Sequence, residues 1–456
     1  MKSTTTGHLL FKLGIMDDRK RAELTKKAEE LGKSSFMFAH FMDNQKAEQE
    51  RGITISCTTK EFFTDNYHYT VIDAPGHRDF LKNMISGASQ ADVALLMVPA
   101  DKGGFERAIA KGNHKTGEVM GQTRQHAQLC YLLGIEQLVV GINKMDAESV
   151  NYSEERYNEI KDEVHNMLRK QGWAKKMDSI PFIPLSGWTG ENLTEESTNM
   201  PWYKGFEVKV GNETVKGNTL VDALTNVARP PKRPTDAPLR VPVSQLIKIP
   251  GIGDIVTGRI EQGTLKPGMN VRFMPSGITG NVFSIEMHHK NVDSAGPGDN
   301  VGVNVKKLPK ATGKKKKLNL GGQVMMPEND PSPRGKIKSF TGTMMVQNHP
   351  GELRAGAEDK GGFTPVVFVR TGRAPCRMVK IHQRVERIKG KPVKIEDPLF
   401  VKAHDQAVIT FEPKMPLYLE DFKTCPGLGR VAIMDSNNLV MLGMISNIEY
   451  YPEKTK

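Results

Sequence analysis

The sequence predicts a multidomain protein in which an α/β domain with a mostly parallel sheet is followed by β-barrel structure. A chain of 456 residues is longer than one core usually organises, so roughly two to four domains are expected. Strand-like and helical runs alternate up to about Arg229, as in βαβ units. Beyond that point helical periodicity fades, and short strand-like runs broken by Gly and Pro indicate antiparallel barrels.

The alternation of the first part can be followed element by element. Helices are predicted from Asp17 to Leu31 (closed by Gly32), near Thr123 to Leu133 and from Ser153 to Lys170. Apolar runs predict strands at 69–72, 93–98, 138–142 and 181–185.

Two proline-rich segments predict the domain boundaries. The run from Arg229 to Pro234 holds three prolines, which remove backbone donors and favour an extended linker. A second boundary is predicted between Pro327 and Pro333. We therefore expect domains at residues 1–229, 236–328 and 333–450.

Composition narrows the class of protein. With 64 Lys and Arg against 52 Asp and Glu, the formal charge of +12 favours an anionic partner. The four cysteines lack C-x-x-C spacing, so neither a zinc site nor a disulfide framework is indicated. No apolar run approaches the ~18–20 residues of a membrane span, and no signal-peptide core is visible. We expect a cytoplasmic protein that does not use a membrane.

The chain opens on Met1-Lys2-Ser3-Thr4, the closing half of a phosphate-binding loop of pattern G-x-x-x-x-G-K-[ST]. In such a loop Lys2 would reach the β/γ-phosphates, Ser3 would hold Mg²⁺ and Thr4 would line the nucleotide. The opening half and the strand before it do not precede these residues. Losing about six buried apolar residues would forfeit on the order of 10 kcal/mol, so we expect an incomplete N-terminus rather than an evolved inactive form.

A second phosphate-side motif is Asp73-Ala74-Pro75-Gly76-His77, which follows an apolar run. Ligands of open α/β sheets bind at the carboxyl ends of strands. Asp73 could hold Mg²⁺ through water, and Gly76 could bring its N–H close to a γ-phosphate because it lacks Cβ. A strand-ending turn rich in Pro and Gly is the alternative.

Two further segments have features of a guanine site. In Asn143-Lys144-Met145-Asp146 the Asp carboxylate can accept two N–H bonds from the guanine edge, a pattern that adenine lacks. In Ser186-Gly187-Trp188 a backbone N–H and the Ser could meet the guanine carbonyl. An ordinary loop with a capping Asp is the alternative for the first segment.

Taken in order, these motifs resemble those of the translational GTPases. The segments Glu50 to Ile55 and Asp73 to Phe80 are most similar to the elongation factor 1-alpha and elongation factor Tu family, and the similarity runs through essentially the whole chain. It continues in Glu286 to His289 and in Pro297 to Gly302. The stretch from Asp101 to Gly121 and the short C-terminal tail look more like the eukaryotic elongation factor-like branch.

The resemblance implies a GTPase domain, here lacking its first strand, followed by two antiparallel β-barrels. It implies translation elongation: GTP-dependent delivery of aminoacyl-tRNA to the ribosomal A site, with hydrolysis on codon recognition. GTP and Mg²⁺ would be the cofactors, and Ser3, Thr54 and Asp73 would organise the metal. His77 takes the position that orients the attacking water, and Glu286 the position near the terminal adenine of the tRNA. A monomer served by an exchange factor is implied as well.

Other interpretations remain open at this stage. Lys306, Lys307, Lys310 and the run Lys314 to Lys317 could meet RNA phosphates, or could be solvated loops. A termination or mRNA-surveillance GTPase would share the first domain. A protein that binds RNA or partners without hydrolysing GTP would follow from the incomplete phosphate loop.

Overall fold

The computed structural model describes residues 1–452 except 31, 33–35, 44, 89, 113–119, 288–289, 310–317, 334, 348, 350, 357–360, 389–390 and 437. The chain divides into two compact units, Met1–Pro231 and Lys232–Lys456. Among the described helices none is both long and apolar enough to span a membrane.

Unit 1 alternates helices and strands, as the sequence predicts. Its helices are α1 Lys2–Lys12, α2 Asp18–Glu30, α3 Met37–Met42, α4 Lys46–Arg51, α5 Leu81–Ala88, α6 Gly104–Ile109, α7 Gln122–Leu132, α8 Glu154–Lys170 and α9 Leu220–Asp222. Its strands are β1 Thr58–Phe63, β2 His68–Asp73, β3 Val93–Pro99, β4 Gln137–Asn143, β5 Phe182–Pro184, β6 Phe206–Val210 and β7 Glu213–Gly217. The three predicted helices are confirmed within one residue at each end.

Local chemistry explains where these elements begin. Helix α8 starts after Ser153, whose hydroxyl accepts the backbone N–H of Arg156 at 3.2 Å. Its first turn is acidic and its last turn basic, which matches the helix dipole. Strand β4 is buried along almost its whole length, which explains its uninterrupted apolar sequence.

A parallel sheet of β3, β4 and β5 forms the centre of unit 1. It packs against α1 through Leu9, Leu10, Val139 and Ile183. Because Pro99 pairs with Asn143 at the carboxyl ends of β3 and β4, the loops that follow these strands start at the same edge of the sheet.

The run at 69–72 does not join that parallel sheet among the described strands. It forms β2, which pairs with β1 in an antiparallel hairpin from Thr58 opposite Asp73 to Phe63 opposite His68. The hairpin closes because Thr64 N donates to Tyr67 O at 2.8 Å. The strand predicted at 69–72 is present, but most of β2 is half-buried, so this apolar run does not form a buried strand.

The regular secondary structure described in unit 2 is almost entirely strand. These are β8 Val241–Ile249, β9 Gly253–Arg259, β10 Asn270–Met274, β11 Ile278–Met287, β12 Lys290–Val292, β13 Asn300–Lys306, β14 Val324–Pro327, β15 Ile337–Val346, β16 Leu353–Arg354, β17 Val366–Val369, β18 Gly372–Ile388, β19 Lys391–Glu396, β20 Phe400–Val401, β21 Gln406–Pro413, β22 Arg430–Asp435 and β23 Asn438–Tyr450, with a short helix α10 Pro426–Gly429.

These strands close into two antiparallel barrels. In the first, the order β10-β14-β8-β9-β13-β11 returns to β10, with β12 at the edge. In the second, the order β17-β22-β23-β15-β21-β18 returns to β17, with β19 at the edge. Closure satisfies the backbone groups that an open sheet would leave at its edges. The predicted fold class is thereby confirmed, whereas the predicted domain limits stay a prediction.

A buried ionic network joins the two barrels. Arg240 at the start of the first barrel donates from Nη1 to Asp330 Oδ2 at 2.8 Å and from Nε to Glu420 Oε1 near the second barrel. Tyr418 also donates to Glu420 Oε1, at 2.7 Å. Burial alone would lower the pKa of Arg240, but its bonds to Asp330 and the charge of Glu420 raise it. Arg272 Nη2 adds bonds to the backbone carbonyls of Asp330 and Ser332.

At Gly7, helices α1 and α3 lie close together. A Cβ added there would lie 2.1 Å from the carbonyl oxygen of Phe38 in α3. Gly to Ala usually favours a helix by roughly 0.5–1 kcal/mol, but Gly7→Ala must push α1 from α3, so we expect a loss of about 1–3 kcal/mol. Urea unfolding measures it, with Gly296→Ala as control because the nearest atom to its added Cβ lies at 4.0 Å. An unchanged unfolding midpoint for Gly7→Ala would contradict this packing.

Candidate nucleotide-binding site

Three predicted metal ligands meet at the start of α1. The Ser3 Oγ lies 2.9 Å from Thr54 Oγ1, and Asp73 follows at the end of β2. Burial raises the pKa of Asp73, while a hydrogen bond from Ser3 and the charge of Lys2 work in the opposite direction. Asp73 Oδ2 has no hydrogen-bond partner among the described groups. Two hydroxyls and one carboxylate with a spare buried oxygen fit a hydrated Mg²⁺ ion.

Lys2 lies against the turn after β2. A Cβ added at Gly76 would lie 2.7 Å from Lys2 Nζ, so the glycine leaves the room that the ammonium group fills. Burial lowers the pKa of Lys2, and the negative charge of Asp73 opposes that shift. Of the other phosphate-side candidates, Thr4 and Ala74 are half-buried and Pro75 is buried. The structure thus brings the two phosphate-side motifs together.

Asp43, between α3 and α4, belongs to this cluster and was missed by the sequence reasoning. Its Oδ1 accepts the Thr54 hydroxyl at 2.9 Å, and burial raises its pKa to about 6, although the Thr54 bond opposes the shift. No recognised spacing connects Asp43 with Ser3 or Asp73, since the contact arises only from folding. Asp43 therefore adds a second carboxylate to the cluster of Ser3, Thr54 and Asp73.

The guanine-side segments meet around the buried side chain of Asn143. Its Oδ1 accepts the backbone N–H groups of Lys144 at 2.7 Å and Gly187 at 2.8 Å. Its Nδ2 donates to Thr5 Oγ1 on α1 at 2.9 Å. Asn143 thus ties both guanine-side loops to the helix that begins at Lys2. Its amide is engaged by protein groups, which gives it a positioning role.

The neighbours of Asn143 divide into packing and exposed residues. Met145 is fully buried, while Asp146 is half-exposed. Lys144 adopts a left-handed backbone with φ of 69° and pairs with Asp101 at 3.2 Å. The carboxylate of Asp146 is thus the accessible acceptor of this segment.

The second guanine-side loop presents fewer free groups than the sequence suggests. The Ser186 hydroxyl accepts the N–H of Thr189 at 3.1 Å, and the N–H of Gly187 is taken by Asn143. Trp188 is 44% exposed and meets Phe38 edge-on at 6.3 Å between ring centroids. Trp188 is therefore the partly exposed aromatic residue of this loop.

His77 lies at the exposed side of the turn after β2. Its side chain is 47% exposed, its Nδ1 accepts the Asp79 backbone N–H at 3.3 Å, and the Asp79 carboxylate lies 3.4 Å away. An imidazole held at one nitrogen and open to solvent at the other side can contact a water molecule.

The predicted RNA contacts lie in unit 2. Glu286 is exposed on β11, opposite Gly302 of β13. Lys306 lies over the Phe283 ring at 4.9 Å, and Lys307 follows it. Lys310 and Lys314 to Lys317 lie outside the described residues, as do His288 and His289.

The arrangement defines a class. A hydroxyl and a lysine at the start of α1, a carboxylate at the end of β2 and an Asn-Lys-Met-Asp segment at the end of β4 form the arrangement that is typical of a GTPase.

Comparison with known families and proteins extends this result over the whole chain. Family models described as "Elongation factor Tu GTP binding domain", "Elongation factor Tu domain 2" and "GTP-eEF1A C-terminal domain-like" match residues 2–230, 253–314 and 339–446. Elongation factor 1-alpha of Eremothecium gossypii is 46% identical over 448 residues, covering 98% of this chain and 92% of that protein. The Saccharomyces cerevisiae protein of the same name is 44% identical over 449 residues, with the same two coverages.

The chain therefore belongs to the elongation factor 1-alpha family of translational GTPases. A solved structure of the S. cerevisiae Ski7 GTPase-like domain bound to GTP superposes with a TM-score of 0.74, covering 98% of this chain and 94% of that one. At 18% identity it supports the fold alone. The branch within the family stays a prediction.

Proposed function

We propose that this protein is a translation elongation factor that delivers aminoacyl-tRNA to the ribosomal A site with GTP and hydrolyses GTP on codon recognition. The observation that carries the proposal is the 46% identity to an elongation factor 1-alpha over 98% of the chain, barrels included. The grouping of Ser3, Thr54, Asp73 and the Asn143 loop in unit 1 supports it independently.

Bound Mg²⁺ would neutralise phosphate charge, which is the main requirement of phosphoryl transfer. Ser3 and Thr54 would hold the ion directly, with Asp73 acting through water. Lys2 would add positive charge beside the β/γ-phosphates, with Thr4 and the Ala74 to Gly76 turn lining them. His77 would hold the attacking water, and its exposed position is suited to a step that waits for the ribosome.

Base recognition is assigned to the two loops after β4 and β5. Asp146 would accept the two N–H groups of the guanine edge, with Lys144, Met145 and the Ser186 to Trp188 loop forming the rest of the pocket. Asn143 would hold the loops in register. Buried polar sites of this kind can discriminate against the wrong base by roughly 10⁴-fold, and that discrimination depends on the loops being held in register.

The partners we assign are aminoacyl-tRNA, the ribosome and a guanine-nucleotide exchange factor, and the protein would act as a monomer in the cytoplasm. The exposed Glu286 would lie beside the terminal adenine of the tRNA, while the second barrel would contact the RNA backbone. The formal charge of +12 is suited to these polyanionic partners.

Changing the base specificity tests the proposal. Asp146→Asn replaces a double acceptor by an amide that can donate to the C2 carbonyl of xanthine. We expect GTP affinity to fall by at least about 10²-fold, since two charge-assisted bonds are lost, while xanthosine triphosphate binds better than GTP. A-site delivery of labelled aminoacyl-tRNA should then depend on xanthosine triphosphate.

Asp162→Asn on the exposed face of α8 is the matched control and should keep its dependence on GTP. Two results would argue against the elongation proposal: the unaltered chain delivers aminoacyl-tRNA without any nucleotide, or it delivers no aminoacyl-tRNA at all. Either result would favour a protein that binds RNA without hydrolysing GTP.

A further inference from the structure

Glu48 is a buried carboxylate that the nucleotide site described above does not use. It lies in α4 with only 1% of its surface exposed. Its Oε2 accepts the N–H of Gln45 at 3.0 Å, which is the usual bond of a glutamate in a helix capping box. Capping, however, occupies only one of its two oxygens.

The second oxygen reaches beyond the end of the helix. Oε1 accepts the backbone N–H groups of Ile55 at 2.9 Å and Ser56 at 3.0 Å. The backbone carbonyl of Glu48 also accepts Gly52 N at 2.7 Å and Ile53 N at 3.3 Å. Gly52 makes the reversal possible, because its φ of 68° is a left-handed conformation. Residues 52–56, which we name the Thr54 turn, are therefore folded onto a single residue.

Within the Thr54 turn, Thr54 is the residue that reaches the cluster around Ser3, and the bonds to Glu48 lie on both sides of it. Thr54 Oγ1 lies 2.9 Å from both Ser3 Oγ and Asp43 Oδ1. A free turn would allow the hydroxyl many orientations, whereas donors fixed at Ile53, Ile55 and Ser56 leave it little freedom. The carboxylate of Glu48 makes the bonds from Ile55 and Ser56 stronger than bonds to a neutral acceptor.

A second contact joins the Thr54 turn to the segment that follows His77. Asn83 of α5 donates from Nδ2 to the carbonyl oxygen of Ile55 at 2.7 Å. The N–H of Ile55 is thus fixed by Glu48 and its carbonyl by Asn83. Both neighbours hold the backbone beside Thr54 and leave its side chain to face Ser3.

We propose that Glu48 is the positioning residue that holds the Thr54 hydroxyl in the metal-ligating orientation. It acts through the backbone of the Thr54 turn and touches neither nucleotide nor ion. The proposal rests on the proposed function only in assigning a metal to Thr54. Its structural part, the hold on Ile55 and Ser56, stands on the geometry alone.

Hydrogen exchange tests the structural part directly. Glu48→Gln keeps the shape of the side chain but replaces the charged double acceptor by an amide. We expect the amides of Ile55 and Ser56 to exchange at least about tenfold faster, because charge-assisted bonds are lost, while β4 keeps its protection. Glu50→Gln is the matched control, since Glu50 lies on the same helix and is 53% exposed beside Lys46. Unchanged exchange in Glu48→Gln would overturn the proposal.

Nucleotide selectivity tests the positioning part. In the presence of Mg²⁺, we expect Glu48→Gln to bind a non-hydrolysable GTP analogue about tenfold or more weakly than the unaltered chain does. Its affinity for GDP should be unchanged. In EDTA, the variant and the unaltered chain should bind the GTP analogue equally. Equal losses for both nucleotides would mean a merely structural role and would overturn the proposal. If the unaltered chain binds neither nucleotide, the proposed function fails, and the exchange result alone decides on Glu48. Glu48→Ala repeats both measurements should the Gln variant not fold.

Discussion

Replacing His77 with Ala is expected to reduce ribosome-stimulated GTP turnover by about 10²–10⁴-fold while GTP affinity stays nearly intact. The reason lies in its position. His77 is half-exposed at the turn after β2, and the backbone N–H of Asp79 donates to its Nδ1. Its loss removes a group that can hold water, but leaves Lys2, Ser3 and the Asn143 loop in place.

Single-turnover hydrolysis on programmed ribosomes gives the rate, and equilibrium binding of a fluorescent GTP analogue gives the affinity. His349→Ala, in unit 2, is the control, because that ring bonds to the Gly351 backbone far along the sequence from the nucleotide motifs. If rate and affinity of His77→Ala fell by the same factor, His77 would be a structural residue and the catalytic assignment would fail.

Arg240→Met is expected to destabilise unit 2 by about 3–5 kcal/mol. Removing the guanidinium would leave Asp330 and Glu420 buried without their main counter-charge, which costs more than the pair contributes. Thermal and urea unfolding followed by circular dichroism measure the loss. Arg354→Met removes an exposed pair with Glu352 of comparable length, 2.7 Å, and should cost no more than about 1 kcal/mol.

The pH dependence of that difference identifies its origin. Although burial would raise the pKa of Asp330, its bonds from Arg240 and Ser332 hold it below its ordinary value. A carboxylate with a lowered folded pKa stabilises the fold above its unfolded pKa, about 4, and this stabilisation is lost as the pH falls through the folded value. The gap between the unaltered chain and Arg240→Met should therefore narrow below about pH 4. A gap that is constant with pH would point to lost packing alone.

Features encoded by local pattern could be predicted from the sequence. Apolar periodicity and capping residues predicted where α2, α7 and α8 begin and end. The apolar run of β4 predicted that Asn143 lies at the end of a strand. Gly and Pro between short runs indicated barrels. Motif spacing then selected Ser3, Thr54 and Asp73, which the fold brings together.

What could not be predicted depends on contacts between distant residues. Asp43 and Glu48 are ordinary acidic residues in the sequence, and only the fold of the Thr54 turn gives them partners. Asn143 belongs to a segment predicted to contact guanine, and its amide bonds to Thr5 and Gly187 arise only from the fold. The partners of Arg240 lie 90 and 180 residues further along the chain. No local pattern encodes pairings of this kind.

The buried network around Arg240 limits which segments of unit 2 can be exchanged between related proteins. Arg240 comes from the first barrel, Asp330 from the connection between the barrels, and Glu420 from the segment between β21 and α10. A chimera that exchanged one barrel with that of a distant relative would separate a buried cation from its anions. Recombination between relatives should therefore succeed when the exchanged segment runs from the linker through both barrels, and should fail when a crossover falls between Arg240 and Glu420.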